Sequence, residues 1–292
     1  DSFALMGKRF NYTVSATLGD NKTVFTKFNN PEKNLSNHYE GKVLGEIWGY
    51  RVDGLFASDE EAAEYTSKIN QDAVNERILT DKVDPYYRAG DLKFRDLDGD
   101  NVISKGDDTA YDAGDREIIG NETPRYMYSF RLGADWNGFD LGIFFQGVGK
   151  RDWYPNYLST GFWGPYSRAF TSFIPENFMD QCWSEENRDG YFPRFRGYQT
   201  FAGSQLGVNN DRYLQDASYI RLKNLTVGYT LPVLKKVFTK LRVYFTGENL
   251  WYWSPMLKHT KYIDPEAAGG NGNTGMAYNY SRNFSVGVDI TF

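Results

Sequence analysis

The stretch "DLDGDNVISKGD", residues 96–107, places carboxylates where a hard cation wants oxygen. Asp96, Asp98 and Asp100 occupy positions 1, 3 and 5 of a twelve-residue loop, Val102 offers a backbone carbonyl at position 7, Ser104 stands at 9 and Asp107 at 12. This is the ligand spacing of EF-hand-like calcium loops. Ca²⁺ takes roughly six to eight oxygens, and alternate positions of a turning backbone deliver them from one side. Ile103, at position 8, supplies an apolar residue to pin the loop. Asn101 replaces the usual glycine at position 6, and Asn also tolerates the left-handed conformation that such a turn needs. Asp107 replaces the usual glutamate, so its bidentate reach is shorter. The spacing predicts a structural Ca²⁺, or another divalent cation, held by Asp96, Asp98, Asp100, Val102 and Asp107. The alternative is an acidic cluster of Asx turns without metal.

Other chemistry is thin. "SDEE" and "DLDGD" offer carboxylates, yet no pair is spaced against a nucleophile or a histidine. "GVGK" lacks Walker spacing and the Ser/Thr that should follow it, and it ends a strand-like segment. The reading is that the chain is not an enzyme. Cys182 is the only cysteine, which leaves no disulfide framework and no thiolate zinc site. His38 and His259 are not metal-spaced and read as surface or loop residues. A net charge of −5 without a basic block argues against nucleic acid.

The elements that must position such a loop are strands. Aromatic content is 17%, with 22 Tyr and 21 Phe, and Gly reaches 29 of the 292 residues. That composition favours strands and turns over helices. In "NFSVGVDITF", Phe284, Val286, Val288, Ile290 and Phe292 fall on one side of an extended chain, with Asn283, Ser285, Gly287, Asp289 and Thr291 on the other. The same period of two recurs in "RFNYTVSATLG", "RYMYSFRLGADW", "FDLGIFFQG", "NLTVGYTL" and "LRVYFTGEN". Six strands are predicted, near 10–28, 125–136, 139–150, 216–231, 240–253 and 282–292. A helix is predicted over 59–70, because Ser58 and Glu61 form a capping box and its first turn is acidic.

Alternation alone fits two architectures. A β-sandwich would bury Tyr126, Phe130, Val227 and Phe284 in a shared core, as in a soluble calcium-stabilised carbohydrate-binding module. A membrane barrel would turn them to lipid and the polar comb to a wet lumen. No stretch approaches the roughly 18 apolar residues of a membrane helix, so a bilayer would have to be crossed by strands. Loop lengths favour the barrel. Asn137-Gly138 is a tight hairpin signal, and the basic link "PVLKKVFTK" is short, whereas the segments 29–124, 151–215 and 254–281 are long. Trp251-Tyr252-Trp253 and Trp153-Tyr154 cluster where strands would leave a bilayer. Six strands are too few to close a useful lumen, so they read as an arc of a larger barrel whose remainder precedes Asp1. The start at Asp1 reads as a removed targeting segment or a fragment.

Four groups of residues carry a family resemblance: "AGDLKFRDLDGDNVIS" with "DREIIGNETPRYMYSFRLGADWNGFDLGIFFQGVGKRD", "GEIWGYRVDGLFASDEEA", "LQDASYIRLKNLTVGYTLP" and "RVYFTGENLWYWS". Together they resemble the SusC/RagA family of TonB-dependent outer-membrane transporters. The resemblance implies an all-β fold: an antiparallel transmembrane β-barrel segment, about the last six strands of a barrel of about 22, with long extracellular loops. The family's plug domain and energy-coupling box find no counterpart in the chain. It further implies the outer membrane of a Gram-negative bacterium, nutrient import (oligosaccharide or peptide), a SusD-like lipoprotein on the extracellular loops, and TonB acting through the missing N-terminal part. The comb Phe284, Val286, Val288, Ile290 and Phe292 matches the signal read by the barrel assembly machinery. On this reading Arg131, Asp135, Asp140, Gln146 and Glu248 face the lumen. Trp153, Tyr157, Trp163 and Tyr166 are candidate ligand or partner contacts, because aromatic faces stack on sugar rings; the alternative for them is packing within the loop.

Overall fold

The computed structural model describes residues 2–168, 174–196, 201, 204–232, 239–268 and 278–292. Thirteen strands are described: β1 (Ser2–Leu5), β2 (Lys8–Gly19), β3 (Glu46–Tyr50), β4 (Val52–Leu55), β5 (Leu92–Phe94), β6 (Arg116–Asn121), β7 (Arg125–Trp136), β8 (Phe139–Lys150), β9 (Asp152–Trp153), β10 (Gln215–Asp216), β11 (Tyr219–Leu231), β12 (Lys240–Trp253) and β13 (Asn283–Thr291). Seven of them form one antiparallel sheet in the order β1-β2-β7-β8-β11-β12-β13. The long period-two segments are therefore sequential neighbours, as an up-and-down meander requires.

The sheet has seven strands where periodicity predicted six. The extra strand, β1, is only four residues long and turns into β2 at Met6-Gly7, both with positive φ. Asn137-Gly138 joins β7 to β8 in the same way, with φ of 47° and 89°. Positive φ at both central residues gives the turn twist that matches paired strands. The strand expected over 10–28 stops at Gly19. Asp20 there receives Arg125 in a charged hydrogen bond of 2.5 Å from Nη2, and the chain leaves the ladder. The tight turns at 6–7 and 137–138, the β11–β12 link and the end of β13 share one rim; three long segments leave the other. Most of the basic link, residues 233–238, lies outside the described residues.

Register aligns the combs. Across β2, β7, β8, β11, β12 and β13 the paired rows read Phe10-Trp136-Phe139-Tyr229-Val243-Val288 and Tyr12-Ala134-Leu141-Val227-Phe245-Val286. Nearer the long-loop rim come Val14-Leu132-Ile143-Leu225, Ala16-Phe130-Phe145-Leu222-Trp251 and Leu18-Tyr128-Gly147-Ile220-Trp253. With Leu231-Leu241-Ile290 at the turn rim, six rows make one apolar face. Five two-residue steps at about 3.3 Å per residue, tilted roughly 40° as barrel strands are, give a band about 25 Å tall. That is the height of the lipid-facing band of outer-membrane barrels, and aromatics concentrate toward its two ends as in their girdles.

Tyr126, Phe130, Val227 and Phe284 are 46%, 37%, 41% and 66% exposed. A sandwich would have buried all four, and among the described residues no second layer covers this face.

The core lies elsewhere, in a lobe built by the three long segments at one rim. Residues from all three pack together: Ile47, Leu92, Phe94 and Ile103 from the first, Trp153, Trp163, Tyr166, Phe192 and Tyr213 from the second, and Met256 and Ile263 from the third. The first segment contributes the hairpin-like pairs β3–β6 and β4–β5, and the second the pair β9–β10. Helix α1 (Asp59–Thr66) begins where its capping box predicts. The Glu61 N–H donates to Ser58 Oγ at 3.1 Å, while the Glu61 carboxylate accepts from the Ala57 N–H rather than from Ser58. The helix ends four residues before the expected 70, because Asn70 leaves it to pair with the acidic loop: its N–H donates to Asn101 O, and Ile103 N–H donates back to Asn70 O.

Candidate cation loop and sheet wall

Over its first half the acidic loop turns through hydrogen bonds from backbone N–H groups to its own carboxylates. Asp96 Oδ1 accepts from Gly99 N–H at 2.7 Å and Oδ2 from Asn101 N–H at 2.9 Å. Asp98 accepts from Asp100 N–H and Asp100 from Val102 N–H, which winds the chain around the side facing the carboxylates. Asn101 takes φ of 68°, the left-handed conformation expected of position 6. Ile103 is fully buried and anchors the loop in the lobe.

Two of the four expected carboxylates are brought together with one that the spacing did not predict. Asp96, Asp98 and Asp115 bring oxygens within 4.8 Å of one another. Neither Asp100 nor Asp107, both expected as ligands, belongs to this group, and the Asp107 N–H donates to Asp112 Oδ2 at 3.3 Å. Asp115 is fully buried and accepts from Leu97 N–H and Ser104 N–H, each at 2.7 Å. It comes within reach because Gly106 and Gly114, both near φ +55°, cross so closely that a Cβ on Gly114 would lie 2.5 Å from Gly106 N. Burial pushes the Asp115 carboxyl above the ordinary carboxylate range, opposed by its two backbone donors and reinforced by the charges of Asp98 and Asp96. A buried carboxylate aimed at two others is costly without a cation. The donor set, all oxygen, fits a hard divalent ion.

The aromatic candidates of the second segment separate by burial. Trp153, Trp163 and Tyr166 are all buried in the lobe core, with Trp163 Nε1 donating to Pro155 O at 3.0 Å and Tyr166 Oη to Pro193 O at 2.5 Å. They pack the lobe and are closed to a ligand or partner. Tyr157 is exposed.

The polar combs gather on the other face of the sheet. One row across six strands is entirely small, Thr13-Gly133-Gly142-Thr226-Thr246-Ser285. Toward the turn rim Arg242 spans strands, donating to Asp140 at 2.7 and 2.8 Å and to Asp289 at 3.0 Å. Toward the loop rim Arg131 lies over the Phe144 ring, and Glu248 accepts from Asn283. Asp135 pairs with Asp140 in the ladder and Gln146 with Ser129. Phe284, Val286, Val288 and Ile290 stand exposed on the apolar face of β13, whose outer edge pairs with no described strand. The Phe292 carbonyl accepts from Thr239 Oγ1 at 3.2 Å.

A long-stranded meander with one apolar and one polar face, tight turns at one rim and an elaborate lobe at the other is the architecture of an outer-membrane barrel wall. No family model matches the chain. Individual relatives do. The chain is 30% identical over 269 residues to TonB-dependent receptor P3 of Formosa agariphila, a match covering 87% of this chain and 22% of that receptor. It is 28% identical over 216 residues to TonB-dependent receptor P26 of the same organism, covering 70% of this chain and 20% of the relative. Among solved structures, the RagAB peptide transporter superposes over 100% of this chain and 28% of its own, with a TM-score of 0.61 and 21% identity. The same importer in its "closed-closed" state gives a TM-score of 0.58 at 20% identity. The chain belongs to the TonB-dependent receptors, as the SusC/RagA resemblance implied, and spans about a fifth of the length of the curated relatives it matches.

Proposed function

We propose that this chain builds part of the barrel wall and extracellular face of a SusC-like, TonB-dependent importer in the outer membrane of a Gram-negative bacterium. The observation that carries the reading is the unbroken apolar face, six rows deep, on a sheet whose opposite face is polar. The apolar rows meet hydrocarbon, the polar rows line the lumen, and the lobe stands outside the cell. A SusD-like lipoprotein seats on that lobe, and TonB supplies energy through parts of the receptor outside this chain. Nutrient oligomers are the cargo, peptide or oligosaccharide; the RagAB transporter, whose fold this chain shares, is a peptide importer. The final comb addresses the barrel to its assembly machinery.

The acidic loop is proposed as a structural Ca²⁺ site with Asp96, Asp98 and Asp115 as carboxylate ligands and Asp100 shaping the turn. It holds the first long segment in the lobe and takes no part in chemistry.

Deleting the gene of the full receptor and supplying oligopeptides or oligosaccharides as sole nutrient tests the import reading. Growth should fail on one class and return with the gene only in cells that retain TonB. Unchanged growth on both classes, with the receptor's absence verified, would overturn it.

A further inference from the structure

We infer that residues 255–268 form a strap clasped to the polar face of the sheet by Arg221, so that this part of the third long segment folds inward over the pore mouth instead of standing free. Arg221 projects from β11 and is essentially buried, as is Asp264, which it meets in a close ion pair. Its Nε lies 3.0 Å from Glu266, and Lys223 reaches both Glu266 oxygens at 2.8 Å. Two cations from the wall thus meet two carboxylates from the strap, and the group is neutral. The rings of Tyr252, on β12, and Tyr280, just before β13, lie 4.6 and 5.2 Å from the Arg221 guanidinium. Tyr280 also lies 4.7 Å from the Lys223 ammonium.

A bulge explains how the wall presents both cations. The register of β11 slips between Leu222 and Asn224 against both neighbours. Alternation on the rim side of the slip puts Arg221 and Lys223 on the polar face, and Asn224 resumes that face beyond it. The strap is shaped to receive them. Asp264 carries the N–H of Ala267 and Ala268 on its own carbonyl and the Glu266 N–H on its carboxylate, while its N–H donates to Asn279 Oδ1. Buried ion pairs act as locks of geometry: removal of one partner leaves a charge without compensation. Arg221 is therefore a positioning residue for the strap. The inference rests on the polar face being the lumen side.

The test uses the full-length receptor in outer membranes with Ala268→Cys, buried on the strap, or Ala89→Cys, buried in the first segment. Cys182 is a quiet background, because burial pushes its thiol up to about 11. Maleimide labelling at 268 should be slow in the parent and at least tenfold faster when Arg221→Ala is added, with labelling at 89 unchanged. Asp264→Asn, which keeps the hydrogen-bonding shape but removes the charge, should give a smaller acceleration at 268, and it serves alone if the Arg221 variant does not reach the membrane. Equal labelling at 268 in parent and variants would overturn the clasp. Acceleration at 268 and 89 together would also overturn it, since Arg221 would then hold the lobe as a whole. None of these readings depends on transport, so a failed import assay leaves the clasp standing, and a failed clasp leaves import standing.

Discussion

Asp115 is a carboxylate held where ionisation is costly, and that makes the acidic loop a sensitive place to look for a cation. A raised pKa means that the folded chain binds the proton more tightly than the unfolded one. Metal-free stability therefore falls as pH rises from the ordinary carboxylate value toward the raised one, and stays low above it. Ca²⁺ reverses the trend, because metal and proton compete for the same oxygens. In the full receptor, protease cutting within 96–115 should be suppressed by Ca²⁺ at pH 7 and restored by chelator, and the suppression should fade as pH is lowered. At a hundredfold excess over its dissociation constant the ion adds about 2.7 kcal/mol to the loop's stability. Asp115→Asn should abolish the calcium response while making the chelated loop at neutral pH no less resistant than the parent. Cutting that ignores chelator in the parent would dismiss the ion. The twelve-residue window could not reveal Asp115. It is eight residues beyond Asp107 and arrives only through the Gly106–Gly114 crossing, a contact that no local spacing encodes.

Elements differ in how openly the sequence declares them. The long strands were legible because a face in contact with one medium along its whole length imposes strict alternation. β1 was not, since four residues carry too little pattern. The lobe was not either: its aromatic core is assembled from loops, where burial has no fixed period, and the sequence left Trp163 and Tyr166 open between ligand contact and loop packing, which their burial decides for packing. Two element-scale tests follow from opposite environments. Val288→Arg puts a charge into the apolar face of β13, which should cost about 2–4 kcal/mol near mid-bilayer and reduce heat-resistant, assembled receptor in outer membranes; normal assembly would mean that the face does not meet lipid. In the lobe, His259 stacks on Tyr191 with ring centres 3.6 Å apart. Burial, helped by Lys258 and Arg212, lowers its pKa to about 4. A depressed histidine stabilises the fold at pH above its ordinary value near 6.5 and loses that contribution as pH falls toward 4. Hydrogen exchange in 254–268 should therefore accelerate over that window, and His259→Phe, which keeps the stack, should flatten the response. An identical pH profile in both proteins would remove His259 from the account.

At the scale of the whole molecule, the two rims are chemically unlike, and under the proposed function that asymmetry sets an orientation. Among the described residues one rim carries two two-residue turns, too short to pack a core; the other carries a lobe with its own buried aromatics, ion pairs and candidate cation loop. In a barrel inserted from inside the envelope, the minimal rim faces the periplasm and the elaborate one the exterior. Met6 and Tyr157 sample the two sides, since both are well exposed and lie at opposite rims. Met6→Cys and Tyr157→Cys, made singly in the full-length receptor, should behave differently toward a maleimide too large to pass the outer membrane. Intact cells should label position 157 and spare position 6; permeabilised cells should label both. Labelling of position 6 on intact cells at the rate of 157 would show that the turns are not shielded by a membrane. It would make the apolar rows the surface of something other than a bilayer-spanning wall, and the reading of every pore-facing residue would fall with them.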